Sequence, residues 1–295
     1  MIALREKLRK AIMLAIQHDV LNTAKAAAYS GILMLFPMLV VATTVLTMVP
    51  EGTNMIGELR GNFLNFLPGD SLSLLHSSQT MRHLKSARVL FSAAGLSLFA
   101  GIGVMNSLME GFRRAYRLPQ RQWGSIWEQQ LRALLLVLIV VVPMALASMV
   151  LVFGRVIESW MIDLANHEVR YLVLFFWRLV RWAITLATGV AVLGALYHFG
   201  TRRTEHWLRV MPGAIAATLA WFPTTLAFGW YVTRVANYSR YYGSFSAGIA
   251  TLVWLYITAF SALLGAELNG VLFRSRWGTD SVEAGIQASS SDLTH

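Results

Sequence analysis

The sequence predicts an all-α, polytopic membrane protein with six transmembrane helices, cytoplasmic N- and C-termini and additional short interfacial helices. Three observations support this fold class: the composition, the spacing of the charged residues and the distribution of the basic residues. Of the 295 residues, 56% are hydrophobic and 14% are charged, whereas about 25% of the residues in a typical soluble domain are charged. Mean hydropathy is +0.54. A chain with so little polar surface cannot cover itself in water, which excludes a soluble globule.

The spacing of the charged residues gives the number of spans. Six stretches of 20 to 26 residues contain no Asp, Glu, Lys or Arg. Because an α-helix rises about 1.5 Å per residue, roughly 20 residues cross a hydrocarbon core about 30 Å thick. The first stretch is far longer than the hydrophobic region of a signal peptide, so we expect it to be retained. The predicted spans cover residues 26–49, 89–109, 133–154, 171–200, 211–233 and 244–272.

The segments outside the spans are too short to form a second core, so residues 26–276 are predicted to be one membrane domain. Residues 51–88 are expected to cap the outer membrane face. Residues 277–295 are polar and are predicted to be a disordered cytoplasmic tail. Residues 1–25 are predicted to form an amphipathic helix on the cytoplasmic leaflet. Its apolar side chains recur at Ile2, Leu4, Leu8, Ile12 and Ile16.

The basic residues predict the orientation. Most of the 25 Lys and Arg residues lie before the first span, after the second, between the fourth and fifth, and after the sixth. Because basic residues collect on the cytoplasmic side, both termini are predicted to be cytoplasmic. The net charge of +10 is then explained by insertion topology and by attraction to anionic lipid head groups. We therefore expect membrane lipids, not nucleic acid, as partners.

Prolines mark three of the predicted helices. Pro37, Pro143 and Pro223 lie near the middle of the first, third and fifth spans. A proline removes one intrahelical hydrogen bond and displaces the carbonyl four residues earlier. Two interpretations stay open: the three kinked helices surround a cavity, or the kinks only shape helix packing.

Polar residues at the ends of the second and sixth spans are candidates for a buried polar site or gate. Asn106 and Glu110 end the second span, and arginines follow Glu110 at the third and fourth positions, where an ion pair on the helix surface is expected. Glu267 and Asn269 end the sixth span. An acid in a membrane helix usually faces protein or water, and both a structural and a transport role stay open for Glu267.

The fourth span carries candidate anion-binding residues. Arg178 and Arg181 lie on one face of its outer half. They either extend to lipid phosphates from a helix that begins outside the core or face an outward cavity that attracts anions. Further arginines expected on this side are Arg155, Arg170, Arg234 and Arg240. The other half of the span has small residues that permit close helix contact, at Ala183, Ala187, Ala191 and Ala195.

No pattern in the sequence indicates catalysis. None of the seven His residues forms a metal-ligand pair with nearby acids at helical spacing. The chain lacks GxSxG, GxxxxGK and GxGxxG. We therefore predict no enzyme activity, no catalytic residues, no metal and no cofactor.

Several motifs resemble one family. They are AAAYSGILMLFP at 26–37, VMNSLMEGFRRAYR at 104–117, YGS at 242–244, WLY at 254–256 and GAELN at 265–269. The chain resembles the YihY/BrkB family of bacterial inner-membrane proteins from about residue 20 to 275. The resemblance implies six helices with cytoplasmic termini. The positions that match the family pattern are Asn106, Tyr242, Gly243, Glu267 and Asn269.

The resemblance also implies candidate activities. Members have been linked to movement of envelope lipids or lipopolysaccharide precursors and to virulence, which favours a transporter-like protein that moves or senses an anionic amphiphile. A non-transporting scaffold is the alternative, with a homo-oligomer or an envelope complex as its assembly. The family has carried a ribonuclease BN label. We interpret that label as a misassignment because this sequence lacks the His and Asp metal cluster of the tRNA-processing enzymes.

Overall fold

A computed structural model describes residues 2–48, 84–118, 124–164, 170–201, 207–234 and 246–292. The described residues form α-helices joined by short turns and contain no β-strand. The helices are α1 (Ile2–Gln17), α2 (Val20–Met48), α3 (Leu84–Ala115), α4 (Ile126–Leu164), α5 (Arg170–Phe199), α6 (Trp207–Arg234) and α7 (Ser246–Asp292). The predicted cap at residues 51–88 lies almost entirely outside the described residues.

Six of these helices, α2 to α7, are long and apolar enough to cross a membrane, which confirms the predicted number of spans. The apolar segments are Val20–Ala42, Ala87–Ala115, Ile126–Leu146, Phe175–Phe199, Trp207–Val232 and Ser246–Leu272. Their outward surfaces carry large exposed apolar side chains, among them Phe91, Phe99, Phe176 and Trp230. Such a surface suits contact with lipid.

The boundary between α1 and α2 lies earlier than the sequence predicts. We expected the amphipathic helix to extend to residue 25, but α1 ends at Gln17 and α2 begins at Val20. Asp19 has a left-handed backbone conformation with φ of 58°, which Asp tolerates better than most residues. Lys25 lies inside α2 because a charged residue limits the hydrocarbon-embedded segment without ending the helix.

The three mid-span prolines lie inside continuous helices, Pro37 in α2, Pro143 in α4 and Pro223 in α6. Their surroundings differ, since Pro37 is buried, Pro143 is half-buried and Pro223 is exposed. A fourth proline, Pro212, also lies within α6. That the three helices with mid-span prolines surround a cavity thus stays a prediction. Pro212 lies beside the buried polar site described below.

The buried core is concentrated at one end of the bundle. It includes Met109 and Phe112 near the end of α3, Tyr197 near the end of α5, and Leu263 in α7. The rings of Phe112 and Tyr197 meet edge to face at 5.3 Å. At the same end, α1 packs its Ala11 and Leu14 against Leu268 and Val271 of α7. We call this the α1 end of the bundle.

Helix α7 continues to Asp292, through most of the segment for which the composition predicts a disordered tail from residue 277. Residues 277–292 contain no proline. Once a helix has formed, each added residue gains one backbone hydrogen bond at little further cost. The polar composition therefore marks where the apolar span ends, at Leu272, and does not end the helix.

Candidate functional site

Two polar side chains of α7 are buried at the α1 end. Glu267 has 1% of its surface exposed and Asn269 has none. Successive residues of an α-helix point about 100° apart, so these two side chains reach different neighbouring helices. Glu267 contacts the break between α1 and α2, and Asn269 contacts α6 and the end of α3. We call Glu267 and Asn269 the buried polar pair.

Glu267 bonds to His18 at the helix break. Its Oε1 lies 2.7 Å from His18 Nδ1, across 249 positions of sequence. The imidazole is 17% exposed, whereas the carboxylate is almost fully buried. The second carboxylate oxygen, Oε2, is buried and has no hydrogen-bond partner among the described residues. The His18 imidazole therefore lies between the buried Glu267 carboxylate and the solvent-exposed surface.

Two arginines at the end of α3 and just after it lie near the break between α1 and α2. Arg114 Nη1 donates to the His18 carbonyl oxygen at 3.4 Å, and the same side chain lies 3.8 Å from the Asp19 carboxylate. Arg117, directly after α3, has a left-handed conformation with φ of 53°, and its positive charge acts on Glu267. The break is therefore tied to both α3 and α7.

Glu110 lies on the surface of α3 and pairs within its own helix. Its carboxylate accepts from Arg113 at 2.6 Å and from Arg114 at 3.0 Å, the i+3 and i+4 partners expected from the sequence. Glu110 is 36% exposed. It thus positions Arg114 for the helix break, and its carboxylate is already satisfied by two cations.

Asn269 joins α7 to the backbone of α6. Its Oδ1 accepts from the Gly213 N–H at 2.7 Å, and its Nδ2 donates to the Val210 carbonyl oxygen at 3.0 Å. A third bond runs from Nδ2 to the Tyr116 hydroxyl at 3.3 Å. The adjacent Pro212 has no N–H and disturbs the helix ladder. Asn269 therefore satisfies backbone groups of α6 beside a proline.

Glycines permit the close approach of α6 and α7. A Cβ built on Gly265 would lie 2.6 Å from the Gly213 carbonyl oxygen and 2.6 Å from Ala217 Cβ. A Cβ on Gly213 would lie 2.5 Å from the Asn269 side-chain amide. One turn away, the Tyr197 hydroxyl donates to the Ala262 carbonyl oxygen at 2.6 Å. Two residues of the GAELN motif therefore have a structural role: Gly265 permits the close contact of α6 and α7, and Asn269 bonds the backbone of α6.

The remaining predicted residues lie apart from the buried polar pair. Asn106 donates to Gln130 of α4 at 3.2 Å. Arg178 is exposed and Arg181 is half-buried near the start of the α5 span, and Arg234 is exposed at the end of α6. The side chain of Arg155 lies outside the described residues. Arg178 is far from the α1 end. It precedes Tyr197, which packs at that end, by 19 residues, or about 28 Å along α5.

The sequence patterns did not predict that His18, Tyr197 and Gly213 belong to this site. A signal for His18 was present, since it follows Ala11 and Leu14 by seven and four residues and so shares their face of the helical pattern. Among the described residues, no group of three or more His, Asp or Glu side chains is placed to hold a metal ion.

The chain is similar to known bacterial membrane proteins. A model of the family described as virulence factor BrkB matches residues 13–288. The putative ribonuclease-like protein YfkH of Bacillus subtilis is 27% identical over 261 residues, covering 88% of this chain and 92% of that protein. A UPF0761 membrane protein of Vibrio parahaemolyticus is 23% identical over 281 residues, covering 92% of this chain and 84% of that protein.

A further relative extends well beyond this chain. The UPF0761 membrane protein of Verminephrobacter eiseniae is 28% identical over 255 residues, covering 85% of this chain but 58% of that longer protein. No solved structure is significantly similar to the chain.

Proposed function

We propose that this chain, which belongs to the virulence factor BrkB family of membrane proteins, is a transporter-like protein of the bacterial inner membrane. Its proposed cargo is an anionic amphiphile, either a phospholipid or a lipopolysaccharide precursor, that the protein moves or senses during envelope biogenesis. In this proposal the membrane lipids are its partners, and both termini are cytoplasmic.

The observation that carries the proposal is the face of α5 that bears Arg178 and Arg181, which we call the arginine face. Arg178 is exposed near the start of a membrane-spanning helix, among the exposed apolar side chains of Phe175, Phe176 and Leu179. A cation in such a position is costly unless it meets an anion or water. The planar guanidinium group binds phosphate through two parallel hydrogen bonds. A lipid phosphate is the anion that a lipid-facing surface encounters at this depth.

The buried polar pair supplies the second element of the proposal. Arg178 and Glu267 lie near opposite ends of the bundle, because Tyr197, which packs at the α1 end, is about 28 Å from Arg178 along α5. We assign phosphate binding to the arginine face and control of the opposite end to the Glu267–His18 contact. Breaking that contact would remove the polar link between the α1–α2 break and α7.

Helix α1 supports placement of this end at the cytoplasmic leaflet. Its outward surface carries the exposed apolar side chains Leu8, Ile12 and Ile16 beside the exposed basic side chains Arg5 and Arg9. Apolar side chains enter the head-group region, and basic side chains are attracted to anionic lipids.

Reconstitution tests the proposal. The purified protein in liposomes that contain a labelled anionic phospholipid should speed the exchange of that lipid between leaflets. Because a hydrogen bond to a charged group contributes about 1.5–3 kcal/mol, replacing Arg178 and Arg181 together by Gln should lower the rate at least about tenfold. The matched control is Arg88→Gln, an exposed arginine near the start of the α3 span, which should keep the wild-type rate. Full activity in the double variant would refute phosphate binding at the arginine face.

The alternative is a scaffold without transport, favoured by the surface of α5. Three of its four regularly spaced alanines, Ala183, Ala187 and Ala191, are exposed. Small residues on a membrane helix permit close packing with another helix. The scaffold predicts no lipid movement in liposomes and copurification with an envelope complex or a second copy, which Ala187→Leu disrupts.

We assign no catalytic activity to the chain, although one relative is named ribonuclease-like. A nuclease would require metal-dependent RNA cleavage that is lost when the protein's own acids, Glu110 and Glu267, are changed to Gln. Cleavage that is unchanged in both variants would show that neither acid takes part in it.

A further inference from the structure

We propose that Glu267 and His18 form a proton-binding site in which His18 passes the proton between water and the buried carboxylate. This inference goes beyond the lipid function proposed above and does not depend on it. The ligand is the proton itself, and the site lies at the α1 end of the bundle.

The buried Glu267 carboxylate is only partly satisfied by hydrogen bonds. Glu267 lies inside a membrane-spanning segment and is 1% exposed. An ionised carboxylate offers two acceptor oxygens, yet only Oε1 is bonded, and Oε2 is buried without a partner among the described residues. A buried polar atom without a partner is costly, and a bound ion or a catalytic role is among the reasons why a protein keeps one. The smallest ligand that a lone carboxylate oxygen accepts is a proton.

The geometry of the His18–Glu267 contact suits proton transfer. The 2.7 Å separation between His18 Nδ1 and Glu267 Oε1 lies within the range for direct proton transfer between two side chains. An imidazolium that donates to a carboxylate and a neutral imidazole that accepts from a carboxylic acid both fit this separation. The two forms differ only in the position of one proton. The contact therefore allows transfer without movement of the helices.

His18 connects the buried carboxylate to the surface of the protein. Glu267 itself does not reach solvent, but His18 is partly exposed at the break between α1 and α2. Imidazole carries two nitrogens and can take up a proton at one while it releases a proton from the other. His18 is thus the group through which a proton from the water at the α1 end would reach Glu267.

The other charged and titratable groups near Glu267 do not form a hydrogen bond with its carboxylate among the described residues. Just after α3, the positive charge of Arg117 acts on Glu267, whereas Arg114 of α3 bonds the His18 carbonyl and contacts Asp19. Tyr116 bonds Asn269. From α5, Tyr197 donates its hydroxyl proton to the Ala262 carbonyl, and the α6 atoms bonded to Asn269 are backbone atoms. Only His18 contacts the Glu267 carboxylate through a hydrogen bond among the described residues.

Infrared difference spectroscopy of the full-length protein in lipid nanodiscs, with isotope-labelled glutamate, tests the proposal. The expected result is a carboxyl signal that titrates with pH, shifts on transfer to D2O and disappears in Glu267→Gln. The matched control is Glu128→Gln, which removes an exposed acid of α4 paired with Arg132, and it should leave the signal unchanged.

Variants of His18 test the relay separately. His18→Phe should slow deuterium exchange of the Glu267 carboxyl at least tenfold. If this variant does not fold, as judged by circular dichroism, His18→Gln keeps a hydrogen-bond donor without the second nitrogen and should show the same slowing. Unchanged exchange in a folded His18 variant would overturn the relay. A Glu267 signal that never titrates while the protein stays folded would overturn the proton site, whatever the outcome of the lipid assay.

Discussion

Asn269 offers the sharpest test of how the bundle is held together. Its side chain has no exposed surface, and it makes three hydrogen bonds, to Gly213, Val210 and Tyr116. Replacing it by Ala removes all three bonds and leaves a backbone N–H and a backbone carbonyl of α6 without these partners. The variant should therefore be substantially less stable than the wild-type protein.

The size of the effect follows from the contacts. Hydrogen bonds between membrane helices average about 0.6 kcal/mol, so three bonds give a lower bound of about 2 kcal/mol. The buried Gly213 N–H left without a partner costs a further ~1–3 kcal/mol. We expect Asn269→Ala to lower the free energy of unfolding by about 3–5 kcal/mol. Asn269→Leu, which keeps the number and branching of the side-chain heavy atoms, should show most of this loss and so exclude a simple cavity effect.

The assay is reversible unfolding of the purified protein in mixed micelles, followed by far-UV circular dichroism. The matched control is Asn106→Ala, because Asn106 makes one described hydrogen bond, at 3.2 Å, to the exposed Gln130. That change should cost less than about 1 kcal/mol. Equal losses at the two positions, or a fully stable Asn269→Leu variant, would refute the bridge between α7 and α6.

Two further predictions concern the same contact region. Gly213→Ala should lower the free energy of unfolding by at least about 1–3 kcal/mol, because the added Cβ meets the Gly265 carbonyl oxygen and overpacking is costly. Gly95→Ala is its control: no described atom lies within 4 Å of the added Cβ, so thermal unfolding should show equal or greater stability. Tyr197→Phe keeps the ring but loses the hydroxyl bond to the Ala262 carbonyl, and the same unfolding assay should show a loss of about 0.5–1.5 kcal/mol. A Tyr197→Phe protein as stable as wild type would mean that this carbonyl finds another donor.

The sequence by itself determined how many times the chain can cross a membrane. Crossing a hydrocarbon core requires an apolar helix of a minimum length, and this requirement leaves a signal in any one segment without reference to the others. The same local rule placed Glu110 beside its partners, because residues three and four apart share one helix face. The predicted helix ends were less accurate. The break at Asp19 depends on one left-handed residue, and the last helix continues beyond Leu272 into polar sequence.

The tertiary structure decided which polar side chains meet. The GAELN motif predicted a buried or gating role for Glu267 and Asn269 but not their partners, since His18 is 249 residues from Glu267 and Gly213 is 56 residues from Asn269. These pairs depend on which helices are neighbours and on how closely glycine lets them approach. Sequence periodicity describes one helix at a time. Only the packed bundle brings His18 to Glu267 at the α1 end and leaves Arg178 near the other, because contacts between helices are set by packing and not by distance along the chain.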